Sequence, residues 1–254
     1  MALPASCGIP PDVAVPTENR LSARTPRDRP PIIEGQGAIR RAAYPNSKNM
    51  SKLAEIHSLI DEAKENERKT GVLYRAILEL ARQNGENINA LQAGKVIDFV
   101  TGYIEQVPAL MSAVENVATA NDRDADVRPL LDAIEEFFIA PDDIIPDHFG
   151  LAGLLDDAYL AHTLLAEAAK DLEPESGRRF LPDEADRTNR FIRRLLGEPF
   201  ASILDEHVAR TIDQLGGVQT AGRLLIEFAR VEISTIIGSL GFNTRITEIT
   251  GVRI

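Results

Sequence analysis

The chain has 254 residues, of which 44% are apolar and only 5% are aromatic, and it contains no tryptophan. This aliphatic composition favours helices, because leucine and alanine have high helix propensity and aromatic-rich strands are missing. The formal net charge of −11 argues against a general nucleic-acid-binding protein, which needs a basic surface, and against electrostatic binding to anionic lipid.

Targeting and membrane signals are weak in this sequence. Cys7 is the single cysteine, which precludes an internal disulfide and fits a reducing compartment. No uncharged run approaches the roughly 18 apolar residues that a membrane span needs, and no apolar signal-peptide segment precedes Cys7. We therefore predict a cytoplasmic protein without a transmembrane segment, and the sequence leaves peripheral membrane contact open.

Residues 1–49 differ in composition from the rest of the chain. They contain eight prolines, seven Lys or Arg and four Asp or Glu, with no helical periodicity. A segment of this kind buries too little apolar surface to offset the entropy lost on ordering, so we predict disorder. Three interpretations of this segment are open: an inert extension, a basic arm for an acidic partner, or translated sequence outside the original gene. In the third interpretation Met50 is the true start.

From Ser51 onward, apolar residues recur every three or four positions, which predicts helices. The first begins at Ser51 as N-cap, the second ends near Gly85, and the third includes Ile97 to Val107. Pro108 ends or kinks the third helix, or lies in the first turn of a new one. We predict a loop at 120–129, a helix from there to Pro141, a loop at 173–187, and helices at 153–169, 188–196, 199–215 and 218–238.

The helix predicted at 218–238 is apolar nearly all round, which is typical of a helix central in a bundle or buried in an oligomer. Its Arg223 and Glu227 are spaced to form an ion pair. Residues 244–250 alternate like a strand but have no strand to pair with. The sequence therefore predicts an all-α bundle of about eight helices over residues 50–254.

An unusual number of aspartates lies in the middle of the chain. The segment 129–169 contains nine acidic residues and no lysine or arginine. Asp143 and Asp147 lie beside prolines, where an aspartate is a natural N-cap. Asp156 and Asp157 lie early in the next predicted helix, where the helix dipole favours negative charge.

The spacing of these residues resembles the signature of the YkvA-like family of bacterial proteins, P-x-D-L-I-P-D-x-x-P-x-x-G-x-x-D-D. The resemblance covers about residues 125–165, and the matching positions are Pro141, Asp143, Pro146, Asp147, Gly153, Asp156 and Asp157. It implies a small helical domain of unknown function and a bacterial source, with membrane association in some members, but no reaction. The chain departs from the pattern at Gly150, where the family usually has proline, and at Asp142, where it usually has an apolar residue.

The first functional hypothesis is a non-enzymatic structural or interaction module. In it the aspartates cap and orient two helices at a tight turn, and a nearby surface binds a protein partner or a second copy of the chain. The counter-charge to the aspartates would come from Arg190, Arg193 and Arg194, which share one helix face. The alternative is that this basic face is simply solvated.

The alternative is a divalent-metal site. Asp143, Asp147, Asp156 and Asp157 supply oxygen ligands of the kind that Mg²⁺, Mn²⁺ or Ca²⁺ prefers, and His148 is a further candidate ligand.

A third hypothesis is a Mg²⁺-dependent enzyme of the all-α prenyl-diphosphate type, because the sequence at 142–147 formally resembles the aspartate-rich motif of that class. Pro146 argues against it, since it interrupts the helix that such a motif requires. No catalytic residue is predicted.

Overall fold

The computed structural model describes residues 51–140, 145, 147–170, 183–216, 219–241 and 244–252, all within the unit formed by residues 46–254. The predicted disordered extension 1–49 lies outside the described residues. So do Pro141, Asp143 and Pro146, while Asp147 and His148 are described for the backbone alone.

The described part of the chain is all-α, as predicted, and contains no strand. One 3₁₀ helix precedes the fifth of nine α-helices, and the eighth α-helix includes a π-helical turn. In order they are α1 Lys52–Thr70, α2 Val72–Gln83, α3 Ala90–Ala120, α4 Asp124–Ile139, the 3₁₀ helix Asp147–Ala152, α5 Leu154–Lys170, α6 Asp183–Leu196, α7 Phe200–Gln214, α8 Gln219–Leu224 with the π turn Leu225–Ala229 and Arg230–Ser239, and α9 Thr244–Thr250.

Helix α5 is at the centre of the bundle. It packs against α3, α4, α6, α7, the first segment of α8 and the 3₁₀ helix. Every residue from 153 to 162 is buried, so α5 has no solvent-exposed face over its first two turns. A helix in this position must find partners for each of its polar side chains inside the protein.

Helix α8, which the sequence predicts to be buried, is instead partly exposed. Ile226, Ala229 and Ile233 are buried, whereas Val231 is 71% exposed and Phe228 is 48% exposed. The predicted ion pair between Arg223 and Glu227 is not among the described salt bridges, and both side chains are exposed. The π turn explains this difference, because its i→i+5 hydrogen bonding changes which residues share a face.

The structure limits two predicted breaks in the helices: α3 does not end at Pro108, and the loop between α3 and α4 is shorter than predicted. Helix α3 runs through Pro108, because the proline and its neighbours Val107 and Leu110 are buried in the core and this burial outweighs the missing backbone hydrogen bond. The predicted loop at 120–129 shrinks to three residues, since α4 begins at Asp124. Its first turn carries acidic side chains that favour a helix N-terminus.

The boundaries of the later elements also differ from the predictions. Residues 183–187, predicted as loop, form the first turn of α6, which again begins with acidic residues. The strand-like pattern at 244–250 belongs to helix α9. It packs on α2 and α3 and buries Ile246 and Ile249, which lie three residues apart on one helix face.

Glu67 fixes the corner between α1 and α2. Its buried carboxylate accepts hydrogen bonds from the backbone N–H groups of Leu73 and Tyr74, both at 2.9 Å. These N–H groups lie in the first turn of α2, where no backbone acceptor is available. Between the two helices Gly71 adopts φ +60°, a conformation that glycine adopts without steric penalty.

Gly150, the position where the resembling family has proline, has a backbone conformation that excludes proline. Its φ is 66° and its ψ is −129°, whereas the proline ring holds φ near −65°. The residue is buried in the 3₁₀ helix, and a Cβ atom here would lie 3.2 Å from the backbone oxygen of Ala63 on α1. The departure from the family pattern therefore has a conformational reason.

We expect Gly150→Ala to lower the free energy of unfolding by about 1–3 kcal/mol, because alanine is strained at this φ and ψ and meets α1. Gly94→Ala is the matched control, since a Cβ there contacts nothing within 4 Å. Alanine inside a helix should be neutral or stabilising by up to about 1 kcal/mol. Urea unfolding measures both variants, and equal stability of the two would contradict the assignment of strain to Gly150.

Candidate functional site

The candidate site is the N-terminal half of α5 with the turn that precedes it. Asp156 lies in the first turn of α5 and is only 1% exposed. Its Oδ2 accepts a hydrogen bond of 3.0 Å from the backbone N–H of Ile145, eleven residues earlier. Ile145 belongs to the proline-framed motif segment 141–147, which we call the aspartate turn. The carboxylate therefore ties the turn to the start of the central helix.

The other motif residues that the structure describes are also buried. Asp157 is 3% exposed in the same first turn, and the backbone N–H of Gly153 donates to the carbonyl oxygen of Gly150 at 2.9 Å. Of the four aspartates predicted to bind a metal, only Asp156 and Asp157 have described side chains. Over the described ranges, no group of three or more His, Cys, Asp or Glu side chains is arranged to hold a metal ion.

Tyr159, one helical turn after Asp156, forms a second polar link between helices. Its hydroxyl donates to Asp205 Oδ1 on α7 at 2.6 Å, and Arg193 Nε on α6 donates to Asp205 Oδ2 at 2.8 Å. Burial, together with the neighbouring Asp205 carboxylate, raises the pKa of the Tyr159 hydroxyl above its usual range. The interaction joins α5, α6 and α7 through one carboxylate.

The arginines predicted to neutralise the aspartate turn make different contacts where the structure describes them. Arg193 pairs with Asp205 and, at 3.1 Å, with Glu198. Arg190 and Arg194 are exposed on α6. Their proposed role as counter-charges to Asp143 and Asp147 stays a prediction, because those two carboxylates lie outside the described side chains.

Two of the nine acidic residues in 129–169 are neutralised from outside that segment. The Glu135 side chain is 8% exposed and lies 2.7 Å from both Lys52 Nζ on α1 and Arg128 on α4. The same two cations also contact Asp132. Arg128, through its hydrogen bonds and charge, holds the pKa of the Asp132 carboxyl below its usual range.

His162 forms the third polar link, between α5 and α3. Its Nε2 lies 3.0 Å from the backbone oxygen of Tyr103, and its ring stacks on the Tyr103 ring with centroids 4.0 Å apart. Since a carbonyl oxygen only accepts, Nε2 carries the proton. Burial lowers the pKa of His162 to about 4, so the imidazole is neutral at pH 7. The hydroxyl of Tyr103 in turn donates to Asn189 Oδ1 on α6 at 2.9 Å.

A small polar cavity adjoins this stack and has a volume of about 10 Å³, room for about one water molecule. Gln106 lines it together with Tyr103, His162, Thr188 and Asn189. The Gln106 amide donates to the carbonyl of Ile236 at 2.6 Å, in the last turn of α8, while its Oε1 is buried without a hydrogen-bond partner among the described residues. The cavity is too small for any substrate larger than water.

Sequence reasoning missed most of this arrangement. It identified Asp156 and Asp157 from the motif but did not identify the contacts of the polar residues that follow them on α5. The roles of Tyr159, Asp205 and Tyr103 were not predicted. A signal was present, because Asp156, Tyr159 and His162 recur every three residues along α5, but a polar stripe at that spacing ordinarily indicates a solvent-exposed face.

Comparisons with known protein families, with curated proteins and with solved structures found no match for this chain. The resemblance to the YkvA-like family therefore stays a prediction that rests on the motif residues. No helix in the described ranges is long and apolar enough to span a membrane.

We expect Asp156→Ala to lower the free energy of unfolding by about 1–2 kcal/mol, because the Ile145 N–H loses its acceptor. Asp156→Asn should lower the free energy of unfolding less, since its amide oxygen can still accept the hydrogen bond from the Ile145 N–H. Asp98→Ala, at an exposed position of α3, is the control and should change stability by less than about 0.5 kcal/mol. Chemical unfolding at pH 7 measures all three, and wild-type stability of Asp156→Ala would contradict the capping role.

We expect stability to fall by about 2 kcal/mol between pH 7 and pH 5 through His162. Below pH 6.5 the unfolded chain binds a proton at this residue, whereas the folded protein does not until about pH 4, so acid favours unfolding. His162→Gln should remove that part of the pH dependence, and urea unfolding from pH 5 to 7 compares the variant with wild type. Equal slopes in both proteins would contradict the buried neutral state of His162.

Proposed function

We propose that this protein is a non-enzymatic helical module whose aspartate turn caps and orients helices, so that a rigid surface is presented to a protein partner or to a second copy of the chain. The observation that carries the proposal is the hydrogen bond from the Ile145 N–H to the buried carboxylate of Asp156. An aspartate used in this way satisfies a backbone donor inside the fold, as helix-capping residues do.

The other polar groups along α5 support the same proposal. Tyr159 and His162 bond to Asp205 and to the Tyr103 carbonyl, both within the protein. Catalytic groups need a site that a substrate can reach. The cavity beside His162 has room for about one water molecule. These polar groups are therefore better explained by the placement of helices than by catalysis.

The second candidate function is binding of Mg²⁺, Mn²⁺ or Ca²⁺. Two buried carboxylates, Asp156 and Asp157, follow Asp143, Asp147 and His148 in the sequence. Oxygen donors of this type fit hard divalent cations. One Asp156 oxygen is already bonded to the Ile145 N–H, so a bound cation would share this carboxylate with that backbone donor.

Thermal unfolding with Mg²⁺, Mn²⁺, Ca²⁺ or EDTA separates the two functions. For the capping module we expect the same Tm in every condition and a lower Tm for the double variant Asp143→Ala with Asp147→Ala, because alanine cannot cap a helix N-terminus. A site saturated at about 100 times its Kd would add about 2.7 kcal/mol, or about 5–10 °C in Tm for a domain of this size.

The matched control is Asp61→Ala with Asp98→Ala, which removes two exposed carboxylates elsewhere. One outcome would establish the metal site and overturn the capping proposal. In that outcome an ion raises the Tm of wild type and of the control, but not the Tm of the double variant. A double variant as stable as wild type in every condition would also contradict the capping role of the turn.

A further inference from the structure

The small cavity beside the stacked rings of Tyr103 and His162 lies where four helices meet. Tyr103 and Gln106 line it from α3, His162 from α5, Thr188 and Asn189 from α6, and Ile237 from the last turns of α8. Its volume of about 10 Å³ has room for about one water molecule. Because the space is so small, a single molecule inside it is a neighbour of side chains from all four helices.

Two hydrogen-bond acceptors at this cavity have no donor among the described residues. The Gln106 amide is held in one orientation, because its Nε2 donates to the carbonyl oxygens of Ile236 at 2.6 Å and Ile237 at 3.3 Å. Its buried Oε1 is left without a partner in the described part of the chain. The neutral ring of His162 uses Nε2 as its donor, so Nδ1 is an acceptor, and no described residue donates to it.

Helix α6 brings hydrogen-bond donors to the same cavity. Thr188 is buried, and its hydroxyl has no partner among the described residues. Asn189 Oδ1 accepts from the Tyr103 hydroxyl, so the Asn189 amide nitrogen remains as a second donor. A molecule that satisfies this cavity must therefore donate to acceptors on α3 and α5 and accept from α6. Water does both, and a buried water typically makes about three hydrogen bonds.

We propose that this cavity is a binding site for one structural water molecule. The water donates to Gln106 Oε1 and to His162 Nδ1, and it accepts from the hydroxyl of Thr188. It links α3, α5 and α6 directly, and through the Gln106 amide it also fixes the last turn of α8. This site goes beyond the capping function of the aspartate turn and does not depend on it.

Cross-relaxation between water and methyl protons detects the bound molecule in the full chain. The methyl group of Ala185 also lines the cavity. We expect it to show a nuclear Overhauser effect to water, with the sign given by a water molecule that tumbles with the protein. Ala93 is the control, because it is buried in α3 away from the cavity and should show no such effect. The absence of the effect at Ala185 would overturn the proposal.

Filling the cavity should remove the water. Ala185→Val adds two methyl groups to a side chain that lines the cavity. Oxygen-17 relaxation dispersion measures the water molecules that stay bound as the protein tumbles, and we expect this variant to have one fewer than wild type. Ala209→Val, at an exposed position of α7, is the matched control and should keep the wild-type number. Equal numbers in Ala185→Val and wild type would overturn the proposal.

Thr188→Val tests the water by a change that keeps the shape of the side chain. With a water bound to the hydroxyl, the variant loses one hydrogen bond, and we expect its Tm to fall by about 2–4 °C. In a dry cavity the sign is opposite, because the methyl group replaces a buried hydroxyl that has no partner. A Tm equal to or above that of wild type would therefore overturn the proposal.

The control for this variant is Thr235→Val on α8. Thr235 is exposed, and its hydroxyl donates only to the Val231 carbonyl of its own helix. The same substitution there should change the Tm by less than about 2 °C. Circular dichroism checks that each variant remains folded. None of these results bears on the stability of the aspartate-turn variants, so the capping proposal is tested separately.

Discussion

The arrangement of the helices depends on the burial of polar side chains along α5. Residues 153–162 are all buried, yet they include two aspartates, a tyrosine and a histidine. Each buried polar atom without a partner costs about 1–3 kcal/mol, so these side chains constrain what can pack around them. Asp156 binds the turn before the helix, Tyr159 binds Asp205 on α7, and His162 binds the carbonyl of Tyr103 on α3.

These three contacts place different elements around one helix. An aliphatic core tolerates small shifts of one helix past another, because leucine, isoleucine and valine contacts are not directional. A hydrogen bond at 2.6 or 3.0 Å does not tolerate them. The polar contacts on α5 therefore select one register for α3, α6 and α7.

Much of the secondary structure could be predicted from the sequence, because helix periodicity is a local property. The errors occurred where tertiary packing outweighed local preference. Pro108 remains inside α3 because the core surrounds it, and residues 244–250 are helical because Ile246 and Ile249 pack on neighbouring helices. The helix at 218–238, predicted from its apolar content to be central in the bundle or buried in an oligomer, is partly exposed in the single chain, and α5 lies at the centre of the bundle instead.

The sequence by itself determined the helical class and the spacing of the aspartates and prolines in the motif. These features depend on neighbours within a few residues. Only the tertiary structure decided that Arg193 pairs with Asp205, that His162 lies against Tyr103, and that Tyr159 donates to Asp205. Residues so distant in the chain meet through the packing of whole helices, which no local pattern encodes.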